Sequence, residues 1–391
     1  MRQRPSTVRI ALAALGAASL ATATACTGGT GIVETPSATP SVSSSAPAES
    51  AEPSEAPSAT ATDQPEPTDP TGSPEPSDES EASPSDSDDP FASAPRSEVS
   101  IPSFARKKMT GGGLRITGDR ERTSRYASYN VVYRSNGLRI TGVLNVPRNQ
   151  GDGPFPAVVL AHGYIDPDIY VQGQGMTRER GYLAERGYVA LHTDYRDHAG
   201  STDTNAERKV RLGYAIDAIN GVKALRKAAG ARIGRIDDDR IGLFGRSMGG
   251  GVLYRALVMR PGIVNAASAW APVSSKESEN LQQFQLDDAG DSEVVSFIRR
   301  EYGLPGTKRG RQFWPEVNAV NYFDRVQAAV QIQHGRLDDT CPPRWTRDTA
   351  RALRQNDVDT EVEWWPNEGH AFGPAFPAAM DRLIDFFDRE L

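Results

Sequence analysis

The chain has 391 residues and a formal net charge of -7, a length that would suit two or three ordinary domains. The charge is unevenly spread: residues 1–26 carry +3, residues 27–100 hold 15 acidic residues against the single Arg96, and residues 101–391 are left with +4. A near-neutral C-terminal portion without a basic stripe argues against a nucleic-acid partner, and two cysteines, Cys26 and Cys341, exclude a disulfide-rich scaffold.

In chain order, Arg2, Arg4 and Arg9 precede an apolar run over residues 10–20 and then small residues up to Cys26, the three-part layout of an export signal. The run is too short to span a bilayer. Ala23-Thr24-Ala25-Cys26 resembles a bacterial lipoprotein cleavage box, with Ala23 where that box usually carries Leu. The expectation is a lipidated Cys26 and a membrane-anchored chain outside the cytoplasm, with ordinary cleavage after Ala25, and secretion, as the alternative. Residues 27–100 are almost entirely Ser, Pro, Ala, Thr, Glu and Asp, with Phe91 as their one aromatic. Such a composition cannot bury enough apolar surface to offset the entropy of ordering, so an extended acidic spacer is expected, holding a soluble domain clear of the envelope surface.

From residue 101 onward the pattern is that of one α/β domain. Residues 125–146 predict a hairpin, with Tyr129, Val131 and Tyr133 on one arm, Leu138, Ile140 and Val143 on the other, and Ser135-Asn136-Gly137 as its turn. Residues 157–161 form a continuous apolar strand, 178–186 a helix and 188–192 a further strand. Residues 206–229 carry apolar side chains near the helical period, from Val210 through Leu225. A strand at Ile241, a helix after Ser247, and strands over 266–270, 329–333 and 362–365 follow. A last amphipathic helix runs through Met380, Leu383, Ile384, Phe386 and Phe387. This alternation implies a mostly parallel sheet with right-handed crossovers, covered on both faces by helices. It breaks over residues 272–318, where Phe284, Phe297, Tyr302, Phe313 and Trp314 suggest a helical lid or a plain surface excursion.

The strand at Ile241 runs into Gly245-Arg246-Ser247-Met248-Gly249, a G-x-S-x-G elbow at which the chain reverses too tightly for side chains at either glycine. Ser247 is the candidate nucleophile. A serine hydroxyl needs a positioned base, and an imidazole base needs a carboxylate to orient it. Of the five histidines, His162 and His334 each end a strand before a glycine and read as structural. His192 and His198 bracket Asp194 and Asp197, but at a spacing that matches no zinc pattern, so no metal is expected. His370, in Asn367-Glu368-Gly369-His370-Ala371-Phe372 between the last strand and the C-terminal helix, is the candidate base. The acid is sought in His334-Gly335-Arg336-Leu337-Asp338-Asp339, where either aspartate could serve. Cys341, between Thr340 and Pro342 with no elbow around it, is the weaker nucleophile.

Taken together, the hairpin with Gly137-Leu138-Arg139-Ile140-Thr141-Gly142, the His162-Gly163 turn, Asp237 ahead of Arg240-Ile241-Gly242, the Ser247 elbow, His334-Gly335-x-x-Asp338-x-x-x-Pro342 and Gly369-His370-x-Phe372 make residues 125–391 resemble an α/β-hydrolase of the prolyl oligopeptidase and dienelactone hydrolase branch. The resemblance implies a Ser-Asp-His triad and assigns the acid to Asp338. It also implies an oxyanion hole made by the backbone amides of Met248 and Tyr164. No cofactor is implied. The peptidase members carry a β-propeller over the active site, and no repeated blade pattern is present here. The loop 194–201 also differs from their Gly-rich segment. Cleavage of a small or medium ester is therefore expected ahead of peptide cleavage, and a non-catalytic binding lipoprotein is a third reading that the intact triad disfavours.

Overall fold

A computed structural model describes residue 91 and residues 95–229, 233, 235–286 and 292–391. The export signal, Cys26 and most of the spacer lie outside the described residues. The elements, in chain order, are α1 (Ile101–Ala105), β1 (Gly112–Arg122), β2 (Tyr126–Ser135), β3 (Leu138–Pro147), β4 (Phe155–Ala161), α2 (Thr177–Glu185), β5 (Val189–Thr193), α3 (Leu212–Ala228), β6 (Ile236–Arg246), α4 (Met248–Met259), β7 (Ala266–Trp270), α5 (Glu277–Leu281), α6 (Glu293–Glu301), α7 (Gly310–Val317), β8 (Ala329–Gly335), α8 (Pro343–Gln355), β9 (Thr360–Trp365) and α9 (Phe376–Glu390).

The described strands form a nine-stranded sheet in the order β1-β2-β3-β5-β4-β6-β7-β8-β9. β1 to β3 are joined by antiparallel pairing, and β3 pairs antiparallel with β5. From β5 to β9 every pairing is parallel. Two cores follow from the strand period of two. In β4, Ala157, Val159 and Ala161 face the side covered by α3 and α4, while Val158 and Leu160 face the side covered by α2 and α9. Met380, Leu383 and Phe387 of α9 are fully buried on that second face, each contributing about 1.5–3 kcal/mol by leaving water. Parallel strands all end on one edge of the sheet, so the loops after β4, β6, β8 and β9 gather there. That edge is where ligands bind in open α/β sheets.

Several expectations are corrected. The spacer does not run to residue 100: Phe91 is 3% exposed, its ring 5.3 Å from that of Tyr322 and under the Arg325 guanidinium. The Arg96 amide donates to Glu316, and the Ser100 hydroxyl caps α1 by accepting from Ser103 N at 3.1 Å. One aromatic and one capping serine dock this stretch on a core that the rest of the chain supplies.

The helix expected over 206–229 begins only at Leu212, because Asn205, Val210 and Arg211 take left-handed backbone angles with φ of 55°, 45° and 57°. β1 was not expected, since its side chains are mostly solvated and its order comes from backbone bonds to β2 at the sheet edge. α8 was also missed, although Trp345, Thr346, Thr349, Ala350 and Leu353 give it a buried stripe of helical period.

Residues 272–318 carry α5, α6 and α7, with non-helical segments over 272–276 and 302–309. Their aromatic residues turn inward: Tyr302 stacks on Phe313 at 4.1 Å and Trp314 Nε1 donates to Gly303 O at 2.9 Å. Among the described residues no helix is long and apolar enough to cross a membrane.

Candidate active site

β6 ends at Arg246 and α4 starts at Met248, so Ser247 alone turns the chain, with φ 55° and ψ -121°. That conformation costs a serine about 1–3 kcal/mol, and the neighbouring backbone over-determines it. Ser247 N–H donates to Trp270 O at 2.9 Å, and Ser247 O accepts from Gly250 N at 2.9 Å and Val273 N at 3.2 Å. The two elbow glycines are required by space. A Cβ on Gly245 would lie 2.2 Å from Gly249 O, and one on Gly249 would lie 1.9 Å from Ala161 O. Both obstacles are backbone and cannot rotate away. Gly249→Ala is therefore expected to destabilise the fold by about 3 kcal/mol or more, read as a lowered midpoint in a urea titration. An unchanged midpoint would mean that the elbow is looser than described.

Around Ser247 the structure brings together the residues that the sequence singled out. His370 lies on the loop between β9 and α9, with Nε2 3.0 Å from Ser247 Oγ and Nδ1 3.0 Å from Asp338 Oδ2. Asp338, on the loop after β8, is buried, and its other oxygen accepts from Thr340 N at 3.0 Å and Cys341 N at 2.8 Å. Burial opposes ionisation of this carboxyl, but hydrogen bonds from His334, His370 and the Cys341 amide outweigh it and hold Asp338 well below the usual carboxylate range. Asp339 is exposed, and its Oδ1 accepts from the hydroxyl of Thr340. The geometry thus separates the two aspartates that the residue pattern left open.

The loop after β4 passes over the nucleophile. A methyl group on Gly163 would sit 3.2 Å from Ser247 Cβ and 3.7 Å from Oγ, so the backbone of this loop runs directly beside the serine. The Tyr164 ring is 54% exposed and lies under the Arg211 guanidinium, 5.1 Å away, so it stands on the rim of the site. Asp194 anchors this loop from below by accepting from Tyr170 OH and Gly173 N, each at 2.8 Å, and from Thr141 Oγ1 at 2.7 Å.

The remaining histidines and the second cysteine have other duties. His162 is buried between the rings of Tyr170 and Tyr195, and burial lowers its imidazole to about 3, so it stays neutral at working pH. His192 is held well down for the same reason. The Asp194, Asp197 and His198 cluster is bonded to its own loops, with Asp197 Oδ2 accepting from Ala206 N and His198 facing Arg196 O and Ile165 O. Cys341 is fully buried. Burial and the Asp338 charge push its thiol well above the usual range, so it carries no thiolate and is not a competing nucleophile.

Two residues that support the site were missed from sequence. Glu368 is buried and folds the His370 loop onto α9 by accepting from Gly373 N and Ala375 N, each at 2.6 Å. Its backbone O also accepts from Leu337 N at 3.0 Å, tying the loop of the base to the loop of the acid. His334 was read as a structural strand-end residue, yet its Nε2 lies 3.0 Å from Asp338 Oδ2. The one signal for either was proximity in sequence, two residues before His370 and four before Asp338.

Beside His370, a crevice walled by Trp270, Phe372, Phe376, Arg178, Glu179 and Arg246 is too narrow to admit water. A wider groove of about 450 Å³ runs between α8 and β9, lined by Arg347, Arg351, Arg354 and Trp364 among others, and is separate from these residues.

A strained serine turn hydrogen-bonded through a histidine to a buried aspartate, all at the carboxyl edge of a mostly parallel sheet, fits a serine hydrolase of the α/β-hydrolase fold. The chain belongs to the prolyl oligopeptidase family, whose model matches residues 175–391, more than half of the chain. Among curated proteins, it is 29% identical over 142 residues to a bis(hydroxyethyl) terephthalate hydrolase of Streptomyces coelicolor, covering 34% of this chain and 41% of that one. It is 25% identical over 284 residues to an uncharacterized peptidase of Bacillus subtilis, YuxL, covering 71% of this chain and 40% of that one. The chain therefore spans about two fifths of the length of these relatives. Among solved structures, an acetyl xylan esterase from Paenibacillus sp. R4 matches with a TM-score of 0.54 at 21% identity, over 74% of this chain and 92% of that one, a likeness of fold.

Proposed function

We infer that the protein is an exported serine hydrolase that cleaves a carboxylic ester through an acyl-enzyme, with Ser247 as nucleophile, His370 as base and Asp338 as its orienting acid. The observation that carries this reading is the unbroken chain Ser247 Oγ, His370 Nε2, His370 Nδ1, Asp338 Oδ2, with 3.0 Å at each hydrogen bond. Ser247 Oγ attacks the acyl carbon while its proton passes to His370 Nε2. Asp338 holds Nδ1–H in place and stabilises the imidazolium. The amides of Met248 and Tyr164 receive the developing oxyanion. The alcohol leaves with the proton from His370, a water gives a proton back to His370 as it attacks the acyl carbon, and the acid is released as Ser247 recovers its own.

Ester cleavage is favoured over peptide cleavage by the Streptomyces relative, which is named for hydrolysis of an ester. Peptide cleavage is the second reading, supported by the family model and by the Bacillus relative. Attachment to the envelope through a lipidated Cys26, with the catalytic domain outside the cytoplasm, follows from the charge, apolar run and small residues of positions 1–26; a secreted chain is the alternative. The purified protein assayed on paired p-nitrophenyl esters and peptide p-nitroanilides separates the two substrate classes. Turnover of short acyl esters is expected, and a kcat/KM above about 10⁴ M⁻¹s⁻¹ on a peptide anilide would move the assignment to a peptidase.

A further inference from the structure

His334 is fully buried at the end of β8, beside the same Asp338 oxygen that meets His370. Its Nε2 lies 3.0 Å from Asp338 Oδ2 and 2.9 Å from Cys341 O. Both of those atoms can only accept, so Nε2 carries the hydrogen. On the other side of the ring, Nδ1 lies 2.6 Å from the Thr346 hydroxyl on α8, and the ring face stacks on Trp364 of β9 at 5.9 Å. The imidazole is thus held by β8, α8, β9 and the acid loop at once. A merely structural strand-end residue, bonded to Cys341 O alone, would have no need to bring Nε2 within 3.0 Å of the same carboxylate oxygen that receives His370 Nδ1–H.

We propose that His334 is a positioning residue for the triad: its Nε2–H fixes the Asp338 carboxylate in the orientation that meets His370 and takes a share of the negative charge on Oδ2, thereby setting how tightly Asp338 holds the imidazolium of His370. This role presupposes that Ser247, His370 and Asp338 act as the triad described above. The other charged or titratable groups around the pair are Cys341 and Asp339 beside Asp338, Arg178, Glu179 and Arg246 beside His370, Glu368 on the His370 loop with its carboxylate bonded to Gly373 N and Ala375 N, and Arg336 across Trp364. None of them donates to Asp338 Oδ2 among the described contacts. When the His334 donor is removed, the charge on Oδ2 falls wholly to His370 Nδ1–H, the imidazolium is held more strongly, and the acid limb of activity moves to higher pH.

The rate of Ser247 labelling by a fluorophosphonate, followed from pH 4 to pH 9 on the full chain, reads this without any knowledge of the natural substrate. In His334→Asn the amide reaches only as far as the position of Nδ1, so Asp338 loses its donor. In His334→Gln the amide reaches the position of Nε2 and keeps it. His334→Asn is expected to label about 10-fold more slowly at neutral pH, with the midpoint of its acid limb raised by about 0.5 pH unit. His334→Gln is expected to keep the wild-type midpoint. His334→Phe, which keeps the stacked ring without a donor, should shift as Asn does, so that either variant suffices should the other fail to fold. An acid limb unmoved in the donor-less variants, or moved equally in Gln, overturns the role even where rates fall. A wild-type chain that takes no label overturns the triad reading and this role with it; a labelled wild type whose variants keep its profile overturns this role alone.

Discussion

Ser247→Ala is expected to abolish fluorophosphonate labelling and to lower kcat on a p-nitrophenyl ester by about 10⁴- to 10⁶-fold, with the fold intact. The alanine keeps the Cβ that already stands at this position and all three backbone hydrogen bonds to Trp270, Gly250 and Val273. Only Oγ is lost, and with it the acyl-enzyme. The strained backbone at φ 55° remains in the variant, so a circular dichroism melt close to that of the wild type is expected beside the loss of turnover. What remains of catalysis would come from substrate binding and the oxyanion donors alone. The neighbouring Cys341 thiol cannot substitute, because burial and the Asp338 charge keep it protonated. Labelling that persists in Ser247→Ala, at Cys341 or elsewhere, would refute the assignment of the nucleophile.

The second large effect separates two adjacent aspartates. Asp338→Asn is expected to lower kcat by about 10⁴-fold, as the same change does at other triad acids, whereas Asp339→Asn should leave kcat within about twofold, as for surface changes away from a site. An asparagine at 338 can present its amide to His370, which would then accept at Nδ1 and carry its hydrogen on Nε2. In that tautomer His370 faces Ser247 Oγ with a donor and can take no proton from it. Asp339 has an exposed side chain bonded to the adjacent Thr340 hydroxyl, so its neutralisation leaves the hydrogen-bond chain unchanged. KM should change little in either variant, because neither carboxylate is asked to bind substrate. Equal losses from the two substitutions, or a larger one at 339, would reverse the assignment of the acid.

Much of this site was legible because its chemistry depends on local backbone shape. The Ser247 elbow demands glycines at 245 and 249, and each lies within 2.2 Å of a backbone oxygen once a Cβ is imagined there, so the requirement is written into adjacent residues. His370 and Asp338 were reachable for a related reason: each follows a strand with a strong apolar or β-branched signal, and parallel strands end on one edge. The hairpin over β2 and β3, the apolar strands and α9 were legible from periods of two and 3.6. β1 was not, because an edge strand bound through its backbone leaves no apolar alternation. The break before α3 was not either, since left-handed angles at Val210 and Arg211 have no local signature in residues that disfavour them.

By itself, the amino-acid sequence determined the division of the chain into a charged, low-complexity N-terminal portion and an α/β domain, and it picked out Ser247, His370 and a pair of candidate aspartates. Those features depend on composition, hydrophobic period and turn chemistry, all of which act over a few residues. The family resemblance had pointed to Asp338, and the fold brings it rather than Asp339 to His370; only the tertiary structure decided that Phe91 belongs to the folded domain and that His334 and Glu368 support the catalytic loops. Each of these is a contact between segments far apart in the chain or a choice of side-chain direction at a strand end. Such choices are set by which loop packs against which, a quantity that no window of neighbouring residues contains.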